Sequence, residues 1–303
     1  MTPLSLTGEA PQITDVNAVI VGFGRLGYIA DRALATAVYL LLKLSKPLLI
    51  EGHAGVGKTE VAKVLASWLA TDLIRLQCYE GLDVNSAVYE WNYQKQLLAI
   101  KIHEGSGATV EDKERHIFGK EFLLERPLLQ SIACEGGSPV LLVDEIDRAD
   151  EAFEAYLLEL LSEFQISIPE LGTIKARHPP FVILTSNGTR ELSDALKRRC
   201  LYHWIDYPSL EKEMEIVHAR LPGIEKTLRS QVVRLVHSVR EMKLAKPPGV
   251  AETLDLSRAL ASLERSQLDE EAVAETLGCI LKSADDIAKI RAAGIDKVLS
   301  QAT

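Results

Sequence analysis

The segment Gly52-His53-Ala54-Gly55-Val56-Gly57-Lys58-Thr59 constrains this chain more than any other, because it sets a glycine-rich turn between two patterned runs. Before it, Pro47-Leu48-Leu49-Ile50-Glu51-Gly52 is short, almost wholly apolar and closed by glycine, which reads as a buried parallel strand. After it, Val61, Leu65, Trp68 and Leu69 recur at helical spacing. A strand-to-helix loop with GxxxxGK[ST] spacing can wrap a phosphate chain in successive backbone N–H groups, and its glycines allow close approach. Lys58 would then reach the β- and γ-phosphates and Thr59 would offer its hydroxyl to Mg2+ at a helix start whose field favours anions. All eight residues from Gly52 to Thr59 are therefore candidate nucleotide-binding residues.

A second glycine pattern, Gly22-x-Gly24-x-x-Gly27, follows the apolar run Asn17-Ala-Val-Ile-Val21. A dinucleotide fingerprint needs a strand before such glycines and an acidic residue about 20 positions on. Glu51 has that spacing but already opens the other loop, so the pattern reads better as a plain turn or helix end before Tyr28.

Further strand-like runs appear at 73–78, 140–145 and 181–187, with helical stretches between them. Strands alternating with helices predict a parallel sheet covered on both faces, an α/β core. Beyond Asp206-Tyr207-Pro208 the chain reads as helix after helix, at about 209–221, 223–245, 253–266 and 269–282, punctuated by Pro222-Gly223 and Pro247-Pro248-Gly249. The expected organisation is an N-terminal arm over 1–27, an α/β nucleotide-binding domain over 28–206 and a small all-helical domain over 207–303.

Two strand ends carry further chemistry. Val140-Leu-Leu-Val-Asp144-Glu145 delivers Asp144 to hold Mg2+ together with Thr59, and Glu145 as the candidate base that activates water. Phe181-Val-Ile-Leu-Thr-Ser-Asn187 ends in an amide that either positions water beside a γ-phosphate or simply forms the turn before Gly188. Downstream, Lys197-Arg198-Arg199 is either a solvated helix end or a pair of cations that reaches a nucleotide on a neighbouring subunit.

Composition narrows the partners. With 34 basic and 43 acidic residues the net charge is −9, so a broad polyanion-binding surface is not expected and nucleic acid is not a predicted partner. Apolar residues at 47% supply ample core for a folded chain. No run approaches the ~20 apolar residues of a membrane span, and the first fifteen residues lack the pattern of a secretory signal. Cys78, Cys134, Cys200 and Cys279 are scattered without zinc-site spacing, which fits reduced thiols and a cytoplasmic location.

The order of these features resembles an AAA+ ATPase. LLVDEIDRADEAFEAYLLELLSE, TSNGTREL and ALKRRC are similar to the MoxR branch of that superfamily. LQCYEGLDVNSAVYEWNYQKQLL, IPELGTIKA, TSNGTRELSDALKRRCLYHWIDYP and GVAETLDLSRAL are closer still to its CoxD-type subgroup, associated with maturation of carbon monoxide dehydrogenase. The resemblance covers about residues 28–285. It implies a P-loop αβα core with a helical lid and an ATPase that uses ATP and Mg2+.

By the same resemblance, Gly52 to Thr59 form Walker A, Asp144 and Glu145 Walker B, and Asn187 sensor 1. Arg199 matches the arginine finger best, with Arg198 as a second candidate, and Arg258 matches a sensor 2 arginine at a lid-helix start. A finger acting in trans adds ~10³–10⁵ in rate in related phosphoryl transfers, which implies a ring, a hexamer in this family. The stretch from about Tyr79 to Lys120 matches the family's insert, a surface for a protein client. The implied role is a chaperone that matures a metalloenzyme, a molybdenum-containing hydroxylase, with a von Willebrand-type protein as partner. The alternative is a nucleotide-gated scaffold with little turnover. Position 147 is Asn in many MoxR relatives and Asp147 here, as in the CoxD-like subset; Arg148 has no assigned role.

Overall fold

The computed structural model describes residues 13–102, 109 and 116–300 of the chain. The described chain divides into two compact units. Ala33–Glu51 and Ala62–His203 belong to one, and Asn17–Arg32, Gly52–Val61 and the chain from Trp204 onward to the other.

The first unit is built on a five-stranded sheet of order β2-β5-β8-β1-β9. Its strands are β1 (Leu48–Gly52), β2 (Leu73–Gln77), β5 (Val140–Asp144), β8 (Phe181–Ser186) and β9 (Leu201–Ile205). β2 pairs with β5, β5 with β8 and β8 with β1, all parallel, and Glu51 stands opposite Ser186 and Gln77 opposite Asp144. Central β5 is buried at every residue, the burial that its unbroken apolar run predicts. Edge strand β2 instead leaves Leu73, Arg75 and Gln77 exposed.

Helices α2 (Arg32–Leu44), α3 (Lys58–Leu69) and α7 (Glu151–Glu163) match the predicted helical stretches of the α/β region. α6 (Pro127–Ala133) and α8 (Asp194–Arg199) complete its later part. Asp150 and Ser193 cap α7 and α8 by accepting the N–H groups of Phe153 and Leu196, which fixes where each helix starts. The core joins Leu141, Val143 and Leu184 of the sheet to Phe153, Leu157 and Leu160 of α7.

Two small antiparallel pairs were not visible in the sequence pattern: β3 (Tyr89–Trp91) with β4 (Leu123–Glu125), and β6 (Gln165–Ile168) with β7 (Gly172–Lys175). The first pair closes the stretch read as an insert. That stretch also holds α4 (Val84–Ala87) and α5 (Tyr93–Ile102), whose Tyr93, Leu97, Leu98 and Ile102 are exposed. Positions 103–108 and 110–115 of the insert, and 1–12 of the predicted arm, lie outside the described residues.

The second unit is helical where the sequence predicted helices: α9 (Leu210–Arg220), α10 (Lys226–Glu241), α11 (Val250–Ser262) and α12 (Glu270–Ile280), then α13 (Ala284–Ala293) and α14 (Ile295–Ser300). Val232, Leu235, Val236, Leu256, Leu260 and Leu277 fill its core. α1 (Val16–Arg25) corrects any strand reading of the run before the first glycine pattern. That helix ends where Gly27 takes φ 74° and the Tyr28 N–H bonds back to the Phe23 carbonyl. The pattern is a helix end, and no strand-to-helix phosphate loop forms there.

Candidate nucleotide site

The loop after β1 belongs to the second unit. Gly52 is held so close to β9 that a Cβ on it would lie 2.1 Å from the Ile205 carbonyl oxygen, so no other residue fits. Gly55 and Gly57 take φ values of 76° and 95°, a backbone that side-chain-bearing residues rarely adopt. Lys58 opens α3 and is buried, and its ammonium donates to the carbonyls of Gly52 and His53, each at 2.7 Å. Thr59 follows in the first turn. The loop is thus a turn wrapped around its own lysine, ending on a helix N-terminus, where an anion is favoured. The His53 ring stacks on Tyr207 at 4.6 Å and meets the Trp204 ring edge-on at 5.6 Å.

Asp144, Glu145 and Asn187 belong to the first unit, at the ends of neighbouring parallel strands β5 and β8. Asp144 is buried, and its Oδ1 accepts the Thr185 hydroxyl at 2.6 Å. Its Oδ2 accepts Arg75 Nε and Nη2 at 3.1 and 2.5 Å. Glu145 takes the left-handed conformation, φ 56° and ψ 51°, which costs a non-glycine residue roughly 1 kcal/mol or more. Two contacts hold it there: its N–H donates to Thr185 Oγ1 at 2.9 Å, and its carboxylate pairs with Arg148 Nε at 2.8 Å.

Asp147 connects this turn to the loop after β8. Its Oδ2 accepts the Thr189 hydroxyl at 2.6 Å, the Thr189 N–H at 3.0 Å and the Asn187 N–H at 3.2 Å. Burial by itself would push the Asp147 carboxyl up, but these three donors outweigh it and hold the group below the usual aspartate range. Farther along the same loop, buried Glu154 accepts Arg190 Nη2 at 2.5 Å and the Ser193 N–H at 3.0 Å. Asn187 is therefore presented by a loop fixed at both ends by buried carboxylates.

Neither arginine of the basic cluster is drawn into these networks. Both lie in the last turn of α8; Arg198 is exposed, and Arg199 donates to Ser162 Oγ of α7 at 2.6 Å and to the Ala195 carbonyl of its own helix at 3.0 Å. The expected position of Arg258 needs correcting: it lies in the third turn of α11, not at its start, and is exposed and paired with Asp255 at 3.2 Å. Gly249, Val250, Ala251 and Glu252 occupy the helix start instead.

Arg75 and Thr185 were not singled out from the sequence. Thr185 belongs to the apolar run that forms β8, and only the pairing of β5 with β8 assigns it to Asp144. Cys78 and Cys200 are buried, and burial pushes each thiol up to about 12, so both stay protonated. Among the described residues no group of three or more His, Cys, Asp or Glu side chains could hold a metal ion by itself. Nor is any described helix long and apolar enough to cross a membrane.

A parallel sheet with a glycine loop after one strand, acidic residues after another and a helical C-terminal region defines a P-loop nucleotide-binding protein. Residues 47–200, just over half of the chain, match the AAA domain of the dynein-related subfamily, and the chain belongs to that family. Its fold is the P-loop AAA fold. The gas vesicle ATPase GvpN of Haloferax mediterranei is 27% identical over 66% of this chain, which spans 58% of that relative's length. An uncharacterised protein of Staphylococcus haemolyticus, SH1500, is 24% identical over 77% of this chain and 82% of its own length. Among solved structures, the RuvB Holliday junction branch migration motor of Thermotoga maritima is similar with TM-score 0.45 and 18% identity over 82% of this chain and 67% of its own. A putative ATPase from Cytophaga hutchinsonii is similar with TM-score 0.46 and 16% identity over 94% and 93%.

Proposed function

We propose that this chain is an ATP-hydrolysing AAA+ chaperone of the MoxR type that remodels a metalloenzyme client, and that it works as a ring, a hexamer. The observation that carries the hydrolytic reading is the alignment of strand ends. β1 leads into Gly52–Thr59, its parallel neighbour β8 ends beside Asn187, and β5, on the far side of β8, ends at Asp144-Glu145. The residues suit ATP and Mg2+: a lysine already turned into its loop, a threonine hydroxyl at the helix start and a carboxylate from β5. Hydroxyl and carboxylate oxygens are the donors that Mg2+ takes. When bound, the ion would supply positive charge to offset the negative charge that develops on the phosphates.

In this reading Lys58 contacts the β- and γ-phosphates, and Thr59 and Asp144 hold the ion. Glu145 accepts a proton from the water that attacks the γ-phosphorus as the bond to the β-phosphate oxygen breaks. Asn187 orients that water, and Arg199 or Arg198 of one subunit supplies charge to the nucleotide of the next. Residues 28–206 form the nucleotide-binding domain, 207–303 the lid and 1–27 an arm. The client assignment, a molybdenum-containing hydroxylase of the carbon monoxide dehydrogenase kind, rests on the resemblance to CoxD-type sequences, as does a von Willebrand-type partner.

One feature favours the alternative of a scaffold with little turnover: Glu145 and Asp144 are already paired, with Arg148 and Arg75. Phosphate release by the purified protein decides between the two. Hydrolysis that falls at least about a hundredfold in Glu145→Gln, with ATP binding retained, supports the enzyme. Equal rates in the two proteins would remove Glu145 from the chemistry. Absence of turnover with and without client would leave the scaffold. The client reading is tested by co-purification with molybdenum hydroxylase subunits and by the metal content of that enzyme in a strain lacking this chain.

A further inference from the structure

We propose that the first turn of α11, backed by Tyr207 and Arg240, is a positioning element for the phosphate-binding loop; the idea rests on the nucleotide-binding reading above. Three independent contacts, all within the second unit, support it. The Ala251 N–H, one of the donors that a helix leaves unpaired at its start, donates to the Gly55 carbonyl at 3.1 Å. Carbonyl and N–H of one trans peptide point in opposite directions, so this bond also fixes where the Val56 N–H aims. That N–H is among the donors the loop offers to phosphate.

Second, Gly249 lies against the loop's backbone. A Cβ there would stand 2.7 Å from the Ala54 carbonyl oxygen and 2.9 Å from Gly55 Cα, so glycine is what permits this approach. The turn is itself braced, because Glu252 Oε2 accepts the Gly249 N–H at 2.9 Å. Third, His53 of the loop stacks on Tyr207, and the Arg240 guanidinium lies over the Tyr207 ring, 4.8 Å from its centroid.

Arg240 is held in place. Buried Glu213 accepts both of its terminal nitrogens at 2.6 and 2.8 Å, and its Nε donates to the Pro248 carbonyl at 2.7 Å. One guanidinium thus sets both the ring under His53 and the residue next to Gly249. A glycine-rich loop has many conformations to lose, and holding it in one of them lowers the cost of ordering it around a ligand.

The test uses the full-length protein with Gly249→Ala, Ala251→Pro, which deletes the N–H in a first turn where proline is tolerated, and Tyr207→Leu. Leu263→Ser, at the exposed far end of α11, is the control. Binding of a fluorescent ATP analogue and amide exchange of residues 55–59 are measured beside exchange in α10. The expected result is binding weakened about tenfold or more and faster exchange at 55–59, with α10 protection and turnover at saturating ATP nearly unchanged. Wild-type affinity and wild-type exchange at 55–59 in the variants would overturn the proposal. If one variant unfolds, as lost α10 protection would reveal, the other two decide. A wild-type protein that binds no nucleotide would instead defeat the functional reading on which the proposal stands.

Discussion

Replacing Asp147 tests whether a buried carboxylate holds Asn187 in place. In Asp147→Ala the Thr189 hydroxyl, the Thr189 N–H and the Asn187 N–H all lose their acceptor. Hydrogen bonds to a charged group contribute about 1.5–3 kcal/mol each, so the three together set a ceiling of roughly 5–9 kcal/mol. Relaxation of the loop toward water lowers that figure. So does relief of burying the group, whose Oδ1 is buried without a hydrogen bond. The net expectation is a loss of about 3 kcal/mol, the low end for removing one partner of a buried charged network.

Asp147→Asn keeps one acceptor oxygen but makes weaker, neutral bonds, and it puts an amide donor where Oδ1 has no partner; it should cost about 1–2 kcal/mol. Urea unfolding gives both values. pH adds a second dimension. The folded carboxyl lies below its unfolded value, so its contribution is present above the unfolded aspartate pKa of about 4 and fades as pH falls through the folded one. The gap between wild type and Asp147→Asn should therefore narrow below about pH 4. A loss below about 0.5 kcal/mol for Asp147→Ala, or an asparagine variant as costly as the alanine one, would refute the reasoning.

Two further outcomes are expected. Glu213 accepts Arg240 twice, the Thr253 hydroxyl at 2.5 Å and His237 Nε2 at 2.8 Å, and these donors overcome burial to hold its carboxyl below the usual range. Glu213→Leu should cost about 3–5 kcal/mol by leaving Arg240 unpaired, with the wild-type advantage present above pH 4.5 and shrinking in acid; thermal unfolding across that range measures it. For the basic cluster, the proposed ring predicts that Arg199→Ala subunits mixed with wild type depress ATPase activity more than simple dilution does. A linear mixing curve for Arg199→Ala, with a depressed one for Arg198→Ala, would move the finger to Arg198.

Much of this protein was legible in its sequence for a local reason. β1, β5 and β8 are buried strands, so each is written as an unbroken apolar run, and Ser or Asp caps mark where α7, α8, α9 and α12 begin. The phosphate loop is likewise local, since its eight consecutive residues carry both the glycines and the lysine. Where burial is partial the pattern weakens: β9, half-exposed and mixed in composition, and the short hairpins escaped notice. Ala18 to Val21, a four-residue apolar run too short to show its period, is helical in α1.

What only the tertiary structure decided is pairing between groups distant in the chain. Asp144 receives Arg75 and Thr185, Asp147 receives Thr189 and the Asn187 backbone, and Glu213 joins α9, α10 and α11. A charged residue in sequence reads as a solvated surface group, because burial of its charge is too costly without partners that sequence spacing does not reveal. The chain's own order of residues fixed what could bind phosphate; the packing of strand ends and helix starts decided which carboxylates hold that machinery still.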